Sequence, residues 1–262
     1  MKLFFRKYGS GPDLIILHGL FGLSDNWVSI AKKLAYHFTV YIPDLRNHGF
    51  SPWDDCFNYD SMCDDLAEFI ETHNIEKPVL LGHSMGGKVV MSFAALHPTI
   101  PVALVIMDIS PAFYSPQKAH LNIIAAIGEV FPREYASRKQ IMEKVKMHVS
   151  DERIIQFVMK NLHRSETGRF EWKPNIKVIS EKLENVFEAV AIREKITIPT
   201  LFLRGEISGY IGEKDLLLIR DLFLDVHIKT IPGASHWIHA DAPEIVFSEI
   251  SAFLMSEEND NL

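Results

Sequence analysis

Gly82-His83-Ser84-Met85-Gly86 sets a serine between two glycines, after the apolar run Pro78 to Leu81 and before the helix-like segment Lys88 to His97. A Gly-x-Ser-x-Gly in that setting is a nucleophile elbow, a sharp strand-to-helix turn that strains the serine backbone and points its hydroxyl out of the sheet edge. The flanking glycines, lacking Cβ, let neighbouring backbone come close. The chemistry this suits is acyl transfer. A serine hydroxyl is a weak nucleophile near neutral pH and needs a base. The base needs a carboxylate to orient it, and the attacked carbonyl needs amide donors for its developing charge.

Where such an elbow occurs, the groups follow in the order serine, acid, histidine. The histidine therefore belongs after the last strand. Gly233-Ala234-Ser235-His236-Trp237 stands there, and His236 is the expected general base and then general acid, with His239 as the fallback. The acid is less determined. The loop after Thr200–Leu203 runs from Arg204 to Ile211 without an aspartate and offers only Glu206, one methylene longer. Asp108 directly follows the preceding strand, Val102–Met107, and is placed to reach the same ring. The residues favour Asp108 and leave Glu206 open. For the oxyanion, Met85 is expected to supply one amide and Leu20, in His18-Gly19-Leu20-Phe21-Gly22, the other. Phe21, His18 and Trp237 are candidate substrate contacts, and Trp27, Phe113 and Phe131 further candidates for an apolar acyl site. Neither His18 nor His83 is expected to move protons. No metal or cofactor is required.

Short apolar runs at Leu14–Leu17, Phe38–Ile42, Pro78–Leu81, Val102–Met107, Thr200–Leu203 and Val226–Ile231 alternate with amphipathic stretches. That rhythm predicts a mostly parallel sheet covered by helices. Lys2 to Lys7 reads as an opening antiparallel segment, and Pro243 to Leu254 as a closing helix. The rhythm breaks from 111 to 195, where Ile123–Val130, Arg138–His148 and Glu152–Leu162 all have helical spacing. The division expected is a core of 1–110 and 196–262 with a helical cap at 111–195. Ligands in open α/β sheets bind outside the carboxyl ends of the strands, so this insertion would cover the site. The acidic and polar tail from Ser256 is expected to fray.

A chain of 262 residues with 47% hydrophobic and 23% charged residues suits one large α/β domain. The net charge of −7 argues against a nucleic-acid partner, which needs clustered Lys and Arg. No run has the length of a signal-peptide core or a membrane span, and two cysteines, Cys56 and Cys63, lack zinc-site spacing. These features point to a cytoplasmic protein with reduced thiols and no membrane partner. They do not set the oligomeric state.

The chain resembles the α/β-hydrolases nearly end to end and, within them, the small bacterial esterases of the YbfF type and their ABHD-class relatives. The residues that carry this are Leu17 to Gly22, Asp44-Leu45-Arg46-Asn47-His48-Gly49-Phe50-Ser51-Pro52, Gly82 to Lys88, Asp108-Ile109-Ser110-Pro111, Gly205 to Ile211 and Gly233 to His236. Arg46-Asn47-His48-Gly49 discriminates most, and Phe170 to Ile176 resembles the cap of the group. The resemblance implies an eight-stranded sheet and hydrolysis of short-to-medium acyl esters or acyl-CoA thioesters. It also supports Asp108, since an aspartate after the sixth strand has been proposed as the acid in this group. Carbon–carbon bond hydrolases and cofactor-free lyases on this fold also keep the serine. An acyl-carrier-protein ester hydrolase would use basic residues on the insertion such as Lys139, Lys144 and Arg164. A non-catalytic binding protein is the remaining alternative.

Overall fold

In the computed structural model, which describes residues 1–255, the apolar runs become strands whose side chains alternate between two cores. The expected frayed tail lies outside the described residues. The strands are β1 Phe5–Tyr8, β2 Asp13–Leu17, β3 Thr39–Pro43, β4 Val79–His83, β5 Ala103–Met107, β6 Leu162–Arg164, β7 Phe170–Trp172, β8 Thr200–Gly205 and β9 Val226–Ile231. The helices are α1 Val28–Leu34, α2 Tyr59–Thr72, α3 Met85–Leu96, α4 Lys118–Gly128, α5 Arg138–Val145, α6 Glu152–Lys160, α7 Ile176–Glu181, α8 Leu183–Phe187, α9 Glu213–Leu222, α10 Ile238–Asp241 and α11 Pro243–Leu254.

The main sheet has the order β1-β3-β2-β4-β5-β8-β9, parallel throughout except for β1, which pairs antiparallel with β3. Among the described residues it therefore holds seven strands, not the eight expected. The N-terminal segment supplies a single edge strand. Gly9 at φ 74° and Gly11 at φ 134° lie in the turn that leads from β1 into β2. These positive angles disfavour other residues, and a Cβ on Gly9 would lie 2.4 Å from the Ala35 carbonyl oxygen.

The period of two along each strand divides the interior. Ile15, Leu17, Leu80, Leu104 and Ile106 pack toward α2, α3 and the insertion. Leu14, Ile16, Val79, Leu81, Val105 and Met107 pack toward α1 and α11 on the other face. With both faces covered, these central strands read as continuous apolar runs rather than alternating ones. No helix among the described residues is long and apolar enough to cross a membrane.

The segment between β5 and β8 folds as helices α4 to α8, interrupted by an antiparallel hairpin of β6 and β7. That hairpin adds two short strands to the helical cap expected at 111–195. Its turn closes through Gly168 at φ 78°. One side chain ties both ends of this segment to the body. Lys88 is buried on α3, one turn after Ser84, and its ammonium donates to the carbonyls of Ala112 at 2.8 Å, Phe187 at 3.4 Å and Glu188. Three donors meet three acceptors. Burial pulls the amine down to about 8, which still leaves it charged at neutral pH.

Candidate active site

The chemistry-bearing residues converge at the carboxyl ends of β2, β4, β5, β8 and β9. Ser84 follows β4 and opens α3 with φ 52° and ψ −119°. A non-glycine residue in that conformation is strained by on the order of 1–3 kcal/mol and must be held there by its surroundings. The elbow glycines make it possible. A Cβ on Gly82 would lie 2.3 Å from the Gly86 carbonyl oxygen, and one on Gly86 would lie 2.4 Å from that of Leu17.

Asp108 directly follows β5, also at positive φ (50°), and is fully buried. One carboxylate oxygen, Oδ1, accepts from the Gly205 amide at 2.8 Å. The other, Oδ2, accepts from His236 Nδ1–H at 2.8 Å and from the Ser208 hydroxyl. With Nδ1 directed at Asp108, Nε2 is the ring nitrogen of His236 that has no hydrogen-bond partner among the described residues. The Tyr210 ring stacks on His236 with centroids 4.0 Å apart, and His83 Nε2–H donates to the His236 carbonyl at 2.9 Å. Glu206 turns elsewhere: its carboxylate accepts from the Gly233 amide at 2.7 Å. His239 stacks on Trp27 at 4.3 Å and makes no contact with Asp108.

Ser84, His236, Leu20, Phe21, His18 and Trp237 line one cavity of about 140 Å³. Ile123, Ile154, Phe157 and His120, from α4 and α6, close its far side. Met85 lines a smaller recess that also touches Ser84 and Lys88. Trp27 reaches the cavity, but Phe113 and Phe131 do not; they are 66% and 59% exposed on the insertion. Among the described residues no cluster of His, Cys, Asp or Glu has the makings of a metal site.

The loop after β2 aims its amides one by one. Phe21 N–H is taken by His48 Nε2 at 3.1 Å, and Gly22 N–H by the Gly19 carbonyl at 2.9 Å. Leu20 N–H and Met85 N–H have no acceptor among the described residues. The Gly19 carbonyl also accepts from His18 Nδ1–H at 2.8 Å. Because a trans peptide sets C=O and N–H on opposite sides, holding that carbonyl turns Leu20 N–H the other way. His18 Nε2 in turn accepts from Leu45 N–H at 2.9 Å. Both its nitrogens are thus bound to backbone, so His18 has no ring nitrogen left to offer a ligand.

Burial holds the surrounding imidazoles far below the ordinary histidine value: His18 and His120 near 4, His48 and His239 near 3. His83 is lowered by burial and then by the neighbouring His236. These rings are neutral in the folded protein and free to protonate in the unfolded one. Below the ordinary value of 6.5 the unfolded chain therefore binds more protons, so stability is full above that pH and is lost as pH falls toward 4. The urea midpoint is expected to be flat above about pH 7 and to fall steeply between pH 6.5 and 4, with more than one proton taken up on unfolding. A midpoint independent of pH across that interval would contradict the buried neutral rings.

Sequence reasoning missed Tyr210, His120 and Asn161 as residues of the site. Tyr210 stood in the quoted Gly205–Ile211 segment, but stacking on a ring 26 positions away leaves no local mark. His120 Nε2 lies 3.3 Å from the Tyr210 hydroxyl, and Asn161 Nδ2 donates to the Phe21 carbonyl at 2.8 Å. Both come from the insertion.

Comparison with known proteins bears on this geometry. The alpha/beta hydrolase fold family matches residues 12–243. The chain is similar to the zebrafish (Danio rerio) sn-1-specific diacylglycerol lipase ABHD11, 40% identical over 260 residues that cover 95% of this chain and 80% of that one. It is similar to Esterase YbfF of Escherichia coli, 34% identical over 95% of both chains. Among solved structures a marine microorganism esterase superposes with a TM-score of 0.93 at 43% identity, over 96% of this chain and 99% of that one.

Proposed function

The chain belongs to the α/β-hydrolase fold family and is a serine esterase, and from that premise we propose that Ser84, His236 and Asp108 form its catalytic triad and cleave short-to-medium acyl esters. The observation that carries this reading is the Asp108–His236 bond at 2.8 Å beside the cavity that Ser84 and His236 share. Ser84 Oγ attacks the acyl carbonyl while His236 Nε2 takes its proton, and buried Asp108 stabilises the imidazolium that forms. The tetrahedral oxyanion accepts from the Leu20 and Met85 amides, the second at the positive end of α3. His236 then protonates the leaving alcohol. Water, activated by the same ring, hydrolyses the acyl-enzyme. Leu20 is supported over Phe21 as donor because the Phe21 amide is already spent on His48.

Ile123, Ile154 and Phe157 give the acyl group an apolar wall, and the cavity volume of about 140 Å³ favours chains of modest length. The test is hydrolysis of p-nitrophenyl esters from C2 to C16 beside the matching acyl-CoAs. A maximum at short-to-medium chain, with C16 at least roughly tenfold slower in kcat/KM, is the expected result, each lost apolar contact mattering by up to tenfold or more. Acyl-CoA turnover matching the esters would extend the class to thioesters. No turnover of any substrate by folded protein would transfer the assignment to carbon–carbon hydrolysis or to ligand binding.

A further inference from the structure

Arg46-Asn47-His48-Gly49, the most distinctive motif of the chain, takes no direct part in the mechanism above. His48 is fully buried, and its ring is oriented at both ends. Nδ1–H donates to the Arg46 carbonyl at 2.9 Å, which leaves Nε2 an acceptor for the Phe21 amide at 3.1 Å. The motif itself is held by a buried pair: Arg46 Nε and Nη2 donate to Asp65 at 2.6 and 2.8 Å.

The Phe21 residue so gripped has φ 59°, a region that bulky L-residues avoid. Its carbonyl is gripped as well. Asn161, between α6 and β6 in the insertion and fully buried, donates from Nδ2 to it at 2.8 Å. Asn161 Oδ1 is buried with no partner among the described residues. An unpaired buried acceptor is a standing cost, and the donor on the same amide is what the site receives in return. Turning the amide over would set two oxygens against each other.

We propose that His48 and Asn161 are positioning residues of the oxyanion hole: they hold the Phe21 peptide groups from opposite sides so that the adjacent Leu20 amide faces the reacting carbonyl. Because one grip comes from the body and the other from the insertion, the hole is complete only with the insertion docked. The inference rests on the reading of Leu20 as an oxyanion donor. His48 stays neutral throughout the working range because burial lowers it to about 3, so the grip does not titrate there.

The experiment compares wild type with His48→Phe, His48→Gln, Asn161→Leu and Ser84→Ala. It measures kcat and KM on p-nitrophenyl butyrate, each normalised to active sites titrated with a fluorophosphonate where the serine is present. It also measures inhibition by a trifluoromethyl ketone, whose tetrahedral adduct carries the oxyanion. Loss of one oxyanion donor costs about 10²–10³-fold in kcat, and a displaced donor should cost on the order of 10–100-fold. His48→Phe and Asn161→Leu are therefore expected to lower kcat by about that factor, with KM within about threefold. The ketone inhibition constant should rise in proportion to the loss in kcat/KM. His48→Gln, whose side-chain carbonyl can accept the Phe21 amide, should recover most of the rate. The inference is overturned if kcat per titrated site is unchanged in Asn161→Leu and His48→Phe, if the loss falls on KM alone, or if ketone inhibition stays constant while kcat drops. Should His48→Phe fail to fold, Asn161→Leu and His48→Gln decide it. Wild-type turnover by Ser84→Ala would instead overturn the catalytic reading itself.

Discussion

Ser84→Ala is expected to lower kcat for ester hydrolysis by on the order of 10⁴–10⁶-fold while leaving the fold and substrate affinity nearly intact. Without Oγ there is no bond to form with the acyl carbon, and the remaining rate comes from water attacking a carbonyl still polarised by the two amides. The backbone has no reason to rearrange, since alanine at φ 52° meets the same strain as serine. The measurement is stopped-flow release of p-nitrophenol. Wild type should show a burst equal to the concentration of active sites if deacylation is slow, and the variant should show none. A variant that keeps more than about a tenth of wild-type kcat would exclude Ser84 as the nucleophile.

Asp108→Asn should cost about 10³–10⁴-fold in kcat, with Glu206→Gln close to wild type. The substitution is a clean one. Asparagine tolerates the positive φ of this position as well as aspartate does. Its amide can keep one contact by offering oxygen to the Gly205 N–H, now held at 2.8 Å. The NH₂ then faces His236 Nδ1, which becomes an acceptor, and the ring proton moves to Nε2, where the base should be free. The same NH₂ confronts the Ser208 hydroxyl, which must turn away to accept. Glu206 makes none of these contacts; its carboxylate serves the Gly233 turn. Steady-state kinetics on the two variants side by side decides the matter. Glu206→Gln as the more damaging change would remove Asp108 from the acid role.

The elbow was readable because it is local: a strand, a five-residue turn and a helix leave their whole signature within twenty positions. That Asp108 and His236 come together could be anticipated because Asp108 directly follows β5 and His236 lies in the loop after β9, so chain order stood in for space. What lay beyond reach was pairwise and distant. Nothing near Asn161 announces that its amide meets Phe21, 140 positions earlier. Nothing near Glu206 shows that its side chain bends to Gly233. The eighth strand was an expectation taken from resemblance, and the main sheet of the described residues holds seven. Phe113 and Phe131 illustrate the converse error, since an aromatic in an amphipathic segment does not reveal which face it occupies.

The ammonium of Lys88 gathers carbonyls from positions 112, 187 and 188, so some seventy-five residues of chain depart and return within the reach of one amino group. Such a segment is a cassette in the engineer's sense. Another compact unit whose ends close to the same separation can be spliced in, and the seven strands beneath continue in register. An exchange would replace the cavity wall made by Ile123, Ile154 and Phe157, while Ser84, Asp108 and His236 stay on the body. Besides carbonyls for Lys88, an incoming unit must bring its own donor for the Phe21 carbonyl, or on the positioning proposed above it will bind esters and turn them over slowly.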